Sequence, residues 1–520
     1  MKVFVNHTQA YADQDDRLRE AYRFYGKSLP GEVEGSFAFA LQENEEIFCA
    51  RDPLGIIPLY YVQTDDGYRF ASDIEALLLL PSVKKKPNLR AMRTIMQCFA
   101  VDYHETMYEG IFRLPPGCMM SIRNGKKQIE RYWFPEKIKT NYHIGETEAA
   151  HKLKKLLAKA VEASVSSLEE TAFELSGGVD SSSVVALTAQ KYNTKEISSY
   201  SMDFGDLKCD ESSFVDTFLK HYSTNHQKIS VETLDYHTTY PLEYLYTLSP
   251  YWPITLTFAM SLPMLEKMKK DGKKVVVTGQ GGDHLFRGSQ YALYDLFVRG
   301  KLFESYREVT SYTHPWSAFK VYVLRPLLGK KSIKWIKKII RKEEKKSFWD
   351  RCDIEDLTES LKLRNPAVKE DLDVLTSACQ ATVMDGNIFH CAERHFGIEY
   401  RHPFFDRELV EFALSLPPEM KYGNRTIKRI LRKAMEGILP EKIRLRKDKA
   451  EFSEVISQQI AAIDLDALLK DPHIVRLGLI EQHDINQCLK EYRNGSGVYV
   501  NRLWAMINVE YWYRYNQFES

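Results

Sequence analysis

The stretch that decides the fold is Thr171-Ala-Phe-Glu-Leu-Ser-Gly-Gly-Val-Asp-Ser-Ser182. Its first residues are mostly apolar and predict a short buried strand that ends at Leu175. The glycines that follow let backbone N–H groups approach an anion, and the N-terminus of the helix predicted after them also favours negative charge. The hydroxyl groups of Ser176, Ser181 and Ser182 add further donors. The stretch therefore predicts a phosphate-binding loop between a strand and a helix of an α/β domain.

This loop differs from a Walker A loop, because the Gly-Lys pair that ends a Walker A loop is absent. A small-residue turn without a ligand is the alternative, but seven consecutive positions fit the phosphate-binding pattern after a strand. The pattern is similar to the pyrophosphatase loop of enzymes that split ATP between its α and β phosphates. The residues expected to contact the pyrophosphate part of ATP are Ser176, Gly177, Gly178, Asp180, Ser181 and Ser182.

A second glycine-rich loop follows another apolar strand. Val275-Val-Val277 leads into Thr278-Gly-Gln-Gly-Gly-Asp-His-Leu-Phe286, which places Asp283 beyond the carboxyl end of that strand. Ligands of α/β sheets bind at this edge, so the two loops are expected to face one nucleotide. Either aspartate alone is more typical of a turn or a helix cap. Together Asp180 and Asp283 are candidates to hold Mg²⁺, which binds through one or two carboxylates plus phosphates.

Two later segments supply charged side chains. Glu399 and Arg401 lie in the apolar segment Phe396-Gly-Ile-Glu-Tyr-Arg-His-Pro-Phe-Phe-Asp406. Burial raises the pKa of a carboxyl group and suits it to base chemistry, so Glu399 is a candidate base; an ion pair with Arg401 is the equally weighted alternative. Lys449 lies in the basic stretch that starts at Ile443. Its ammonium group is a candidate to stabilise an acyl-adenylate and departing pyrophosphate, although most basic loops are only solvated.

The hydrophobic pattern divides the chain into two parts. Up to about residue 135, short apolar runs such as Ser36-Phe-Ala-Phe-Ala-Leu41 alternate with turn residues, which predicts an antiparallel sheet. Residues 146–163 have helical periodicity, and from Thr171 strands alternate with helices, which predicts a parallel sheet with helical crossovers. The chain becomes mostly helical after about residue 290. We therefore expect an α/β protein with a boundary near residues 136–145, between domains at 1–140 and 141–520.

Composition excludes several classes of protein. The chain has 520 residues with 72 basic and 71 acidic side chains, so no overall charge favours nucleic acid. Its eight cysteines are scattered without a CxxC pair, which argues against a zinc site and a disulfide framework. We see no membrane-spanning apolar run and no secretory segment, and expect a cytoplasmic protein. The basic run 330–346 is interpreted as a solvated helix, with an acidic leader peptide or a membrane surface as the alternative partner.

In this order, the four segments resemble the synthetase domain of the asparagine synthetase superfamily. The resemblance extends upstream through residues 35–41, 50–60, 70–73 and 113–117, and so covers nearly the whole chain. It implies a shortened glutaminase-like antiparallel β sandwich of the N-terminal-nucleophile type, followed by an ATP-pyrophosphatase-type synthetase domain with a parallel sheet. It also implies ATP and Mg²⁺ as cofactors, amide formation through adenylation of a carboxylate, and contact of the adenosine with Met202 and Gly279.

The N-terminal part departs from a working glutaminase of this family. Such an enzyme uses a cysteine at its N-terminus, exposed when methionine is removed, as the nucleophile. Position 2 is Lys2 here, and the family's glutamine-binding Asn-Gly-Glu segment is missing, since only about thirty residues precede Gly35. We therefore expect no glutamine hydrolysis and interpret residues 1–140 as a degenerate class II amidotransferase-like domain with a structural role.

The second departure from the family is Gln280. Asparagine synthetases that resemble this chain carry glutamate at this position, and β-lactam synthetases carry a tyrosine that works with the downstream glutamate. An amide side chain is no general base near neutral pH, so a base role falls to Glu399 or to the substrate itself. The side chains expected at the reacting centre are therefore Gln280, Glu399 and Lys449.

These departures favour the lasso peptide cyclases, which resemble asparagine synthetase without its amidotransferase activity. The segment Phe204-Gly-Asp-Leu-Lys-Cys-Asp-Glu211 is also similar to that branch. A lasso peptide cyclase adenylates an Asp or Glu side chain of a precursor peptide, and the freed N-terminal amine of the peptide then closes a macrolactam. The resemblance implies a precursor peptide as the substrate, with a leader peptidase and a leader-peptide-binding protein as partners.

Three alternatives remain open. An ammonia-dependent asparagine synthetase would release AMP with aspartate rather than with a peptide, and Gln280 argues against it. A catalytically inactive scaffold that keeps the ATP-binding fold is disfavoured by the intact loop 176–182. A ligase of the family that forms a β-lactam or amidates a sugar is the third.

Overall fold

The structure is a computed structural model of the chain, and it describes residues 12–43, 45–98, 104–231, 234, 236–254, 258–328, 348–350, 365–447, 452–495 and 497–518. Lys2, Lys449 and the basic run 330–346 lie outside the described residues. The expectations for these positions therefore stay predictions.

Two antiparallel sheets form the N-terminal part. Their strands are β1 Ala38–Glu43, β2 Glu46–Arg51, β3 Tyr60–Thr64, β4 Gly67–Ala71, β5 Ile111–Arg113, β6 Cys118–Arg123 and β7 Lys126–Arg131. The order is β1-β2-β6-β7 in the first sheet and β4-β3-β5 in the second, with every neighbouring pair antiparallel. The accompanying helices are α1 Ala12–Tyr25, α2 Leu29–Glu32, α3 Ile74–Leu78 and α4 Leu89–Cys98. The predicted antiparallel structure is confirmed.

The first of these sheets is covered on both faces. Because successive side chains of a strand point to opposite faces, β2 directs Phe48 and Ala50 toward Leu18 of α1. It directs Cys49 the other way, into a core shared with Tyr61 of the second sheet. The two sheets therefore pack face to face, as in the shortened β sandwich that the resemblance implied.

The segment between β2 and β3 is held by two buried charged side chains. The Arg51 guanidinium donates hydrogen bonds to the carbonyl oxygens of Ile57 and Leu114, at 2.5 and 2.9 Å. The Asp52 carboxylate accepts from the backbone N–H groups of Leu54, Ile56 and Ile57. Buried charges are tolerated when they are hydrogen-bonded in this way, so the Arg-Asp pair of the family-like segment 50–60 serves the local fold.

A five-stranded parallel sheet forms the centre of the C-terminal part. Its strands are β8 Thr171–Glu174, β9 Ser198–Asp203, β10 Asn225–Ser230, β11 Val275–Val277 and β12 Glu399–Arg401. They lie in the order β10-β9-β8-β11-β12, and all neighbours are parallel. The helices that precede and connect them are α5 Glu146–Ser164, α6 Val179–Lys191, α7 Ser212–His221, α8 Tyr236–Thr239, α9 Leu242–Leu248 and α10 Phe258–Lys270. The predicted parallel sheet is confirmed.

The remainder of the C-terminal part is mostly helical, as predicted. Its α-helices are α11 Gly282–Phe286, α12 Ala292–Val298, α13 Leu302–Thr310, α14 Pro315–Phe319, α15 Pro366–Cys391, α16 Arg407–Ser415, α17 Pro418–Lys421, α18 Arg429–Ala434, α19 Glu441–Arg444, α20 Ser453–Ala461, α21 Leu465–Leu469, α22 His473–Arg476, α23 Gln482–Arg493 and α24 Gly497–Asn516. Shorter 3-10 turns lie at Gly26–Ser28, Pro135–Lys137, Thr194–Glu196, Phe348–Asp350 and Pro403–Phe405, and π-helical turns at Lys320–Leu324 and Ala392–Phe396. Within the described ranges, no helix is long and apolar enough to cross a membrane.

The strand order reverses between β8 and β11. The chain runs from β8 through β9 to β10, and then returns to the other side of β8 with β11. At such a switch point the connecting loops leave in opposite directions and open a crevice beyond the carboxyl ends of the strands. The loops that follow these two strands are the two predicted glycine-rich loops, so the topology places them side by side.

The two faces of the parallel sheet carry different residues. Val276 of β11 pairs with Ala172 and Tyr400, and this row packs against the core that contains α10 and α24. Val275 belongs to the opposite face, which packs against α5, and it pairs with Glu399. Because side chains alternate along a strand, Tyr400 and Glu399 point to opposite faces of the sheet.

Candidate functional site

The loop between β8 and α6 is shaped by hydrogen bonds between its own serines. The Ser176 N–H donates to Ser181 Oγ at 3.2 Å, and the two hydroxyl oxygens are 3.0 Å apart. Gly177 has a left-handed backbone with φ of 74°, and a Cβ there would lie 2.6 Å from Cβ of Phe214. Conformation and contact therefore both require glycine. Gly178 is the N-cap of α6, whose first N–H groups are the donors an anion would use.

The second glycine-rich loop lies directly against the first. A Cβ added to Gly279 would be 2.4 Å from the backbone nitrogen of Ser181, and one added to Gly282 would be 2.4 Å from Cγ of Asp180. No real Cβ approaches another heavy atom that closely, so both glycines are required by contact between the loops. The structure therefore brings together two segments that the sequence placed about one hundred residues apart.

Lys428 connects the two aspartates that were predicted to hold Mg²⁺. Its Nζ lies 2.6 Å from Asp180 Oδ2 and 2.7 Å from Asp283 Oδ1. Burial alone would lower the pKa of the Lys428 ammonium, but the two adjacent carboxylates outweigh it and hold that pKa above its usual value. Asp180 and Asp283 are thus brought together, and a cation from the chain lies between them.

The backbone of Lys428 has an unusual conformation and a defined hydrogen-bond partner. The residue has a left-handed conformation with φ of 59°, and its N–H donates to the Phe286 carbonyl at the end of α11. A lysine in this conformation carries strain, which is typical of functional sites. Lys428 was not predicted from the sequence, because the surrounding segment Ile427-Lys428-Arg429 resembles an ordinary basic surface stretch.

The carboxylates fit a magnesium ion only together with phosphates. No group of three or more His, Cys, Asp or Glu side chains with metal-ligating geometry occurs in the part of the chain that the structure describes. Mg²⁺ commonly binds through one or two carboxylates and completes its shell with substrate phosphates and water. Asp180 and Asp283, beside a phosphate-binding loop, have the oxygen chemistry that this arrangement requires.

A cavity of about 210 Å³ lies on the α10 face of the sheet, next to the phosphate loop. Ser176, Met202 and Glu174 contribute to its wall, together with the apolar residues Met264 and Phe452. Apolar walls with a few polar groups are typical of small-ligand sites. Met202 therefore lines a cavity beside the phosphate loop, whereas Gly279 contacts Ser181 in the loop crevice.

Glu399 forms the ion pair that the sequence left as an alternative to a base. Arg401 Nε lies 2.9 Å from Glu399 Oε1, and the second guanidinium nitrogen lies 2.8 Å from Oε2. Arg401 also donates to Ser166 Oγ at 2.6 Å, before the start of β8. Bidentate pairs of this kind are the stronger charge-assisted contacts. Glu399 is therefore engaged by Arg401 on the α5 face, opposite to Tyr400.

Gln280 is anchored through its backbone. Its N–H donates to Thr278 Oγ1 at 3.1 Å, and Thr278 Oγ1 lies 2.8 Å from His402 Nδ1. His402 is 9% exposed, and burial lowers its pKa to about 3, so its imidazole is neutral at physiological pH. This chain of contacts fixes the second glycine-rich loop to the residue that follows β12.

A larger cavity of about 340 Å³ lies between the N-terminal and C-terminal parts. Tyr60 and Arg113 line it from the first part, and Trp252, Tyr400 and His402 line it from the second. The Arg113 guanidinium lies 5.2 Å from the centre of the Trp252 ring, a cation–π contact across the boundary. This cavity was not predicted from the sequence, because its wall is formed by segments that are far apart in the chain.

Glu174 and Tyr400 lie on the same face of the sheet, in the walls of different cavities. Glu174 lines the smaller cavity and Tyr400 lines the larger one, and the strand register places the two side chains on the same face of the sheet. Burial raises the pKa of Glu174 to about 7, and the nearby Tyr400 hydroxyl acts in the opposite direction. Neither residue carries a local sequence signal, since both lie inside apolar strands.

The described thiols are unsuited to nucleophilic catalysis. Cys49, Cys118, Cys209, Cys391 and Cys488 are all buried. Burial raises the pKa of each, to about 11 for Cys118 and about 12 for Cys391 and Cys488. The thiolate is the reactive form of cysteine, so none of these five thiols is activated at neutral pH.

Comparison with known proteins agrees with this architecture. The glutamine amidotransferase domain model matches residues 7–133, and the asparagine synthase model matches residues 152–514. Asparagine synthetase (glutamine-hydrolyzing) 1 of Bacillus subtilis is 24% identical over 95% of this chain and 80% of that protein. A putative asparagine synthetase (glutamine-hydrolyzing) of Mycobacterium bovis is 26% identical over 98% and 81%.

Weaker similarities reach other kinds of protein. Amidase chry2 of Gibberella zeae is 26% identical over 57% of this chain and 44% of that protein. A solved structure of the allosteric regulatory enzyme of purine biosynthesis is 14% identical over 43% of this chain and 55% of that chain, with a TM-score of 0.18. The asparagine synthase model, in contrast, covers more than half of the chain. The protein therefore belongs to the asparagine synthase family.

Proposed function

We propose that this protein activates a carboxylate with ATP and then forms an amide, releasing pyrophosphate and AMP. The observation that carries the proposal is the contact between two glycine-rich loops at the switch point, where Gly279 and Gly282 lie against Ser181 and Asp180. The crevice combines backbone donors, two carboxylates and the Lys428 ammonium. Membership of the asparagine synthase family supports the same chemistry.

The proposed nucleotide site follows from the positions of these groups. The loop 176–178 and the first turn of α6 bind the phosphates, and the smaller cavity beside Met202 takes the adenosine. Asp180 and Asp283 hold Mg²⁺, which supplies charge neutralisation for the departing pyrophosphate when it is bound. Lys428 keeps the two carboxylates together, and its ammonium group would donate to a phosphate oxygen of bound ATP.

The proposed reaction has two steps. In the first, a carboxylate oxygen of the substrate attacks the α phosphorus of ATP, and the bond to the β phosphate oxygen breaks to release pyrophosphate. In the second, an amine attacks the acyl carbon, and the carbon–oxygen bond to AMP breaks. Lys428, and Lys449 outside the described residues, are the chain's own cations for the charge that develops on the leaving groups.

The acceptor that we propose is the N-terminal amine of a precursor peptide, as in a lasso peptide cyclase. A cavity of about 340 Å³ lined by Tyr60, Trp252 and Tyr400 has the size and aromatic character of an organic ligand site. Gln280, instead of glutamate, also supports an acceptor other than ammonia. A leader peptidase and a leader-peptide-binding protein would then deliver the substrate, in the cytoplasm where ATP is available.

The role that we propose for Glu399 is the ion pair with Arg401. Both carboxylate oxygens are occupied by the guanidinium, and the pair lies on the α5 face. Glu399 then holds β12 in place beside β11.

The second candidate function is an ammonia-dependent asparagine synthetase, which the names of the full-length relatives favour. Here the carboxylate would be the side chain of free aspartate, and the amine would be ammonia. The nucleotide site is the same for both candidates. The difference between them lies in what the larger cavity accepts.

Radiolabelled ATP–pyrophosphate exchange separates the candidates, because exchange requires only the first step. The purified protein would be incubated with a synthetic peptide that bears a free N-terminus and an Asp or Glu side chain, or with aspartate and an ammonium salt. Peptide-dependent exchange, with loss of one water from the peptide, supports the cyclase. Exchange with aspartate alone supports the synthetase, and no exchange with any carboxylate contradicts both.

A further inference from the structure

The helix α13 has the opposite arrangement to that of an ordinary surface helix. Its exposed side chains include Leu302, Phe303 and Tyr306, and Phe303 is 74% exposed. Its buried side chains are Ser305 and Glu308. A surface helix normally buries its apolar stripe and exposes its charged residues. The apolar side of α13 therefore faces solvent.

Polar contacts fix this orientation of α13. Glu308 Oε2 accepts a hydrogen bond from the Asn424 N–H at 2.5 Å, and Ser305 Oγ donates to the Lys301 carbonyl at 2.8 Å. A buried carboxylate needs such a donor. Turning the helix so that Phe303 pointed inward would break the contact between Glu308 and Asn424, so the apolar side stays outside.

The exposed apolar surface continues onto α14, which packs against α13, and onto the π-helical turn that follows. Trp316 is 69% exposed, and its ring stacks on Phe319 with the centroids 5.9 Å apart. Phe319 in turn contacts Phe297 of α12 edge to face at 5.5 Å. The exposed apolar side chains that follow are Val321, Leu327 and Leu328. We call the exposed apolar side chains of residues 302–328 the apolar face; contiguous patches of this kind mark interaction sites.

Positive charge is concentrated in the same part of the sequence. Arg307, Lys320 and Arg325 are exposed in this segment, and Glu304 is its exposed acidic side chain. Residues 330–346 follow directly in the sequence with nine basic and two acidic residues, outside the described residues. Residues 302–346 thus carry twelve basic and four acidic side chains, whereas the whole chain carries 72 and 71. An anionic partner therefore complements this segment and not the chain as a whole.

We propose that the apolar face binds the surface of a membrane that contains anionic phospholipids. Its aromatic and aliphatic side chains enter the boundary between headgroups and acyl chains, where tryptophan and tyrosine are favoured. The exposed cations attract the lipid phosphates. Binding of this kind occupies one surface of the bilayer and needs no membrane-spanning helix. The inference goes beyond the proposed reaction and does not depend on it.

The shape of the apolar face favours lipid over a peptide partner. Peptides bind in grooves or along the exposed edges of sheets. The apolar face is formed by helices and turns, and neither of the two described cavities is lined by any of its side chains. An acidic peptide would pair with the cations and leave Phe303 and Trp316 uncovered. A lipid surface satisfies the charged and the apolar side chains together.

Sedimentation of the full-length protein with vesicles tests this inference. The vesicles contain equal parts of phosphatidylglycerol and phosphatidylcholine, and vesicles of pure phosphatidylcholine are the neutral comparison. We expect binding to the anionic vesicles that weakens as salt is added. Binding to the neutral vesicles should be weaker by at least about tenfold, because the attraction between the cations and the lipid phosphates is lost.

Substitutions on the apolar face should weaken this binding without changing the fold. Phe303→Ser combined with Trp316→Ser should lower the binding constant for anionic vesicles by about tenfold or more, because two rings no longer enter the interface. Both side chains are exposed, so the melting temperature should match the wild type. Phe24→Ser is the matched control, since Phe24 is also highly exposed but belongs to α1 of the N-terminal part; it should bind vesicles as the wild type does.

A second variant tests the role of charge. Lys320→Glu combined with Arg325→Glu reverses two exposed cations and keeps the apolar side chains. Binding to anionic vesicles should fall by at least about tenfold, and binding to neutral vesicles should not change. Unchanged binding to anionic vesicles would overturn the electrostatic part of the inference.

The remaining outcomes are equally decisive. Absence of binding to anionic vesicles overturns the inference, and so does equal binding by the wild type and the variant with Phe303→Ser and Trp316→Ser. A wild-type dimer that becomes a monomer in that variant, without vesicle binding, would assign the apolar face to a second copy of the chain and also overturn it. None of these measurements uses ATP, so failure here is distinct from failure of the proposed function.

Discussion

Lys428 Nζ lies 2.6 Å from Asp180 Oδ2, so an ammonium group from near the C-terminal end neutralises a carboxylate of the phosphate loop. Asp283, at 2.7 Å on the other side of Lys428, completes the arrangement. Two adjacent carboxylates repel each other, and a cation between them offsets that repulsion. The lysine therefore stabilises the close approach of the two glycine-rich loops that carry these carboxylates.

Removing either carboxylate should abolish adenylation. Asp180→Ala and Asp283→Ala each delete an oxygen ligand for Mg²⁺ and leave Lys428 with one partner. The expected result is no AMP above background, measured by chromatography of the nucleotides after incubation with ATP and substrate. Pyrophosphate release at the wild-type rate in Asp180→Ala would show that the site is assigned wrongly.

Lys428→Met should lower both stability and adenylation. Breaking a buried charge pair by removing one partner typically costs about 3–5 kcal/mol, and two carboxylates would be left adjacent. We expect a lower free energy of unfolding in urea and at least about a 100-fold loss of ATP–pyrophosphate exchange. Lys428→Arg keeps the charge but not its compact geometry, and should retain more stability than Lys428→Met. A stable Lys428→Met with full exchange would contradict the role of this lysine.

Gly282→Ala should separate the two loops of the nucleotide site. Its Cβ would lie 2.4 Å from Asp180 Cγ, and overpacking of this kind costs about 1–3 kcal/mol. We expect a weaker apparent affinity for ATP in exchange assays, because Asp180 must move. Gly145→Ala is the matched control, since no heavy atom lies within 4 Å of a Cβ there. Equal ATP affinity in both variants would argue against close contact of the loops.

His402 should make the folded state sensitive to acid. Its folded-state pKa is lowered to about 3, whereas an unfolded histidine titrates near 6.5. Between these values the unfolded chain binds the proton more readily, so stability present above about pH 6.5 is lost as the pH falls, by up to about 1.4 kcal/mol per pH unit. Urea unfolding at pH 7 and pH 5 should show a larger loss for the wild type than for His402→Asn. An identical loss in the two proteins would exclude this cause.

Glutamine should not serve as a nitrogen donor. The five described thiols are buried with raised pKa values, and the expectation from Lys2 is the same, although that residue lies outside the described residues. Incubation with glutamine alone should produce no glutamate above the background of a heat-treated sample. Glutamate formed in proportion to enzyme would mean that the N-terminal part is an active amidotransferase.

Local patterns predicted most of the fold and the two glycine-rich loops of the proposed nucleotide site. Strands and glycine-rich loops are encoded by neighbouring residues, so the loop from Ser176 to Ser182 and the loop that contains Gly279 could be found without the structure. Their contact follows from the strand order, in which β8 and β11 are neighbours; the alternation of strands and helices predicted a parallel sheet but not this order. Because the loops that follow parallel strands lie at one edge of the sheet, the predicted parallel sheet led to the expectation that the two loops face each other.

Contacts between residues that are far apart in the chain could not be predicted from the sequence. Lys428 lies 248 residues after Asp180, in a segment with no local signal other than its charge. Glu174 stands between apolar residues and shares a face of the sheet with Tyr400 only because β8 and β12 flank β11. The choice between a base and an ion pair for Glu399 likewise depended on the register of β12, which places Glu399 and Arg401 on one face.

AMP formation and peptide mass, measured in the same reaction, test the proposed adenylation and ring closure together. The protein would be incubated with ATP, Mg²⁺ and a candidate precursor peptide with a free N-terminus. We expect one molecule of AMP for each peptide molecule that loses one water, and neither product with Asp180→Ala. Hydrolysis of ATP to ADP, or a dehydrated peptide formed without AMP, would contradict it.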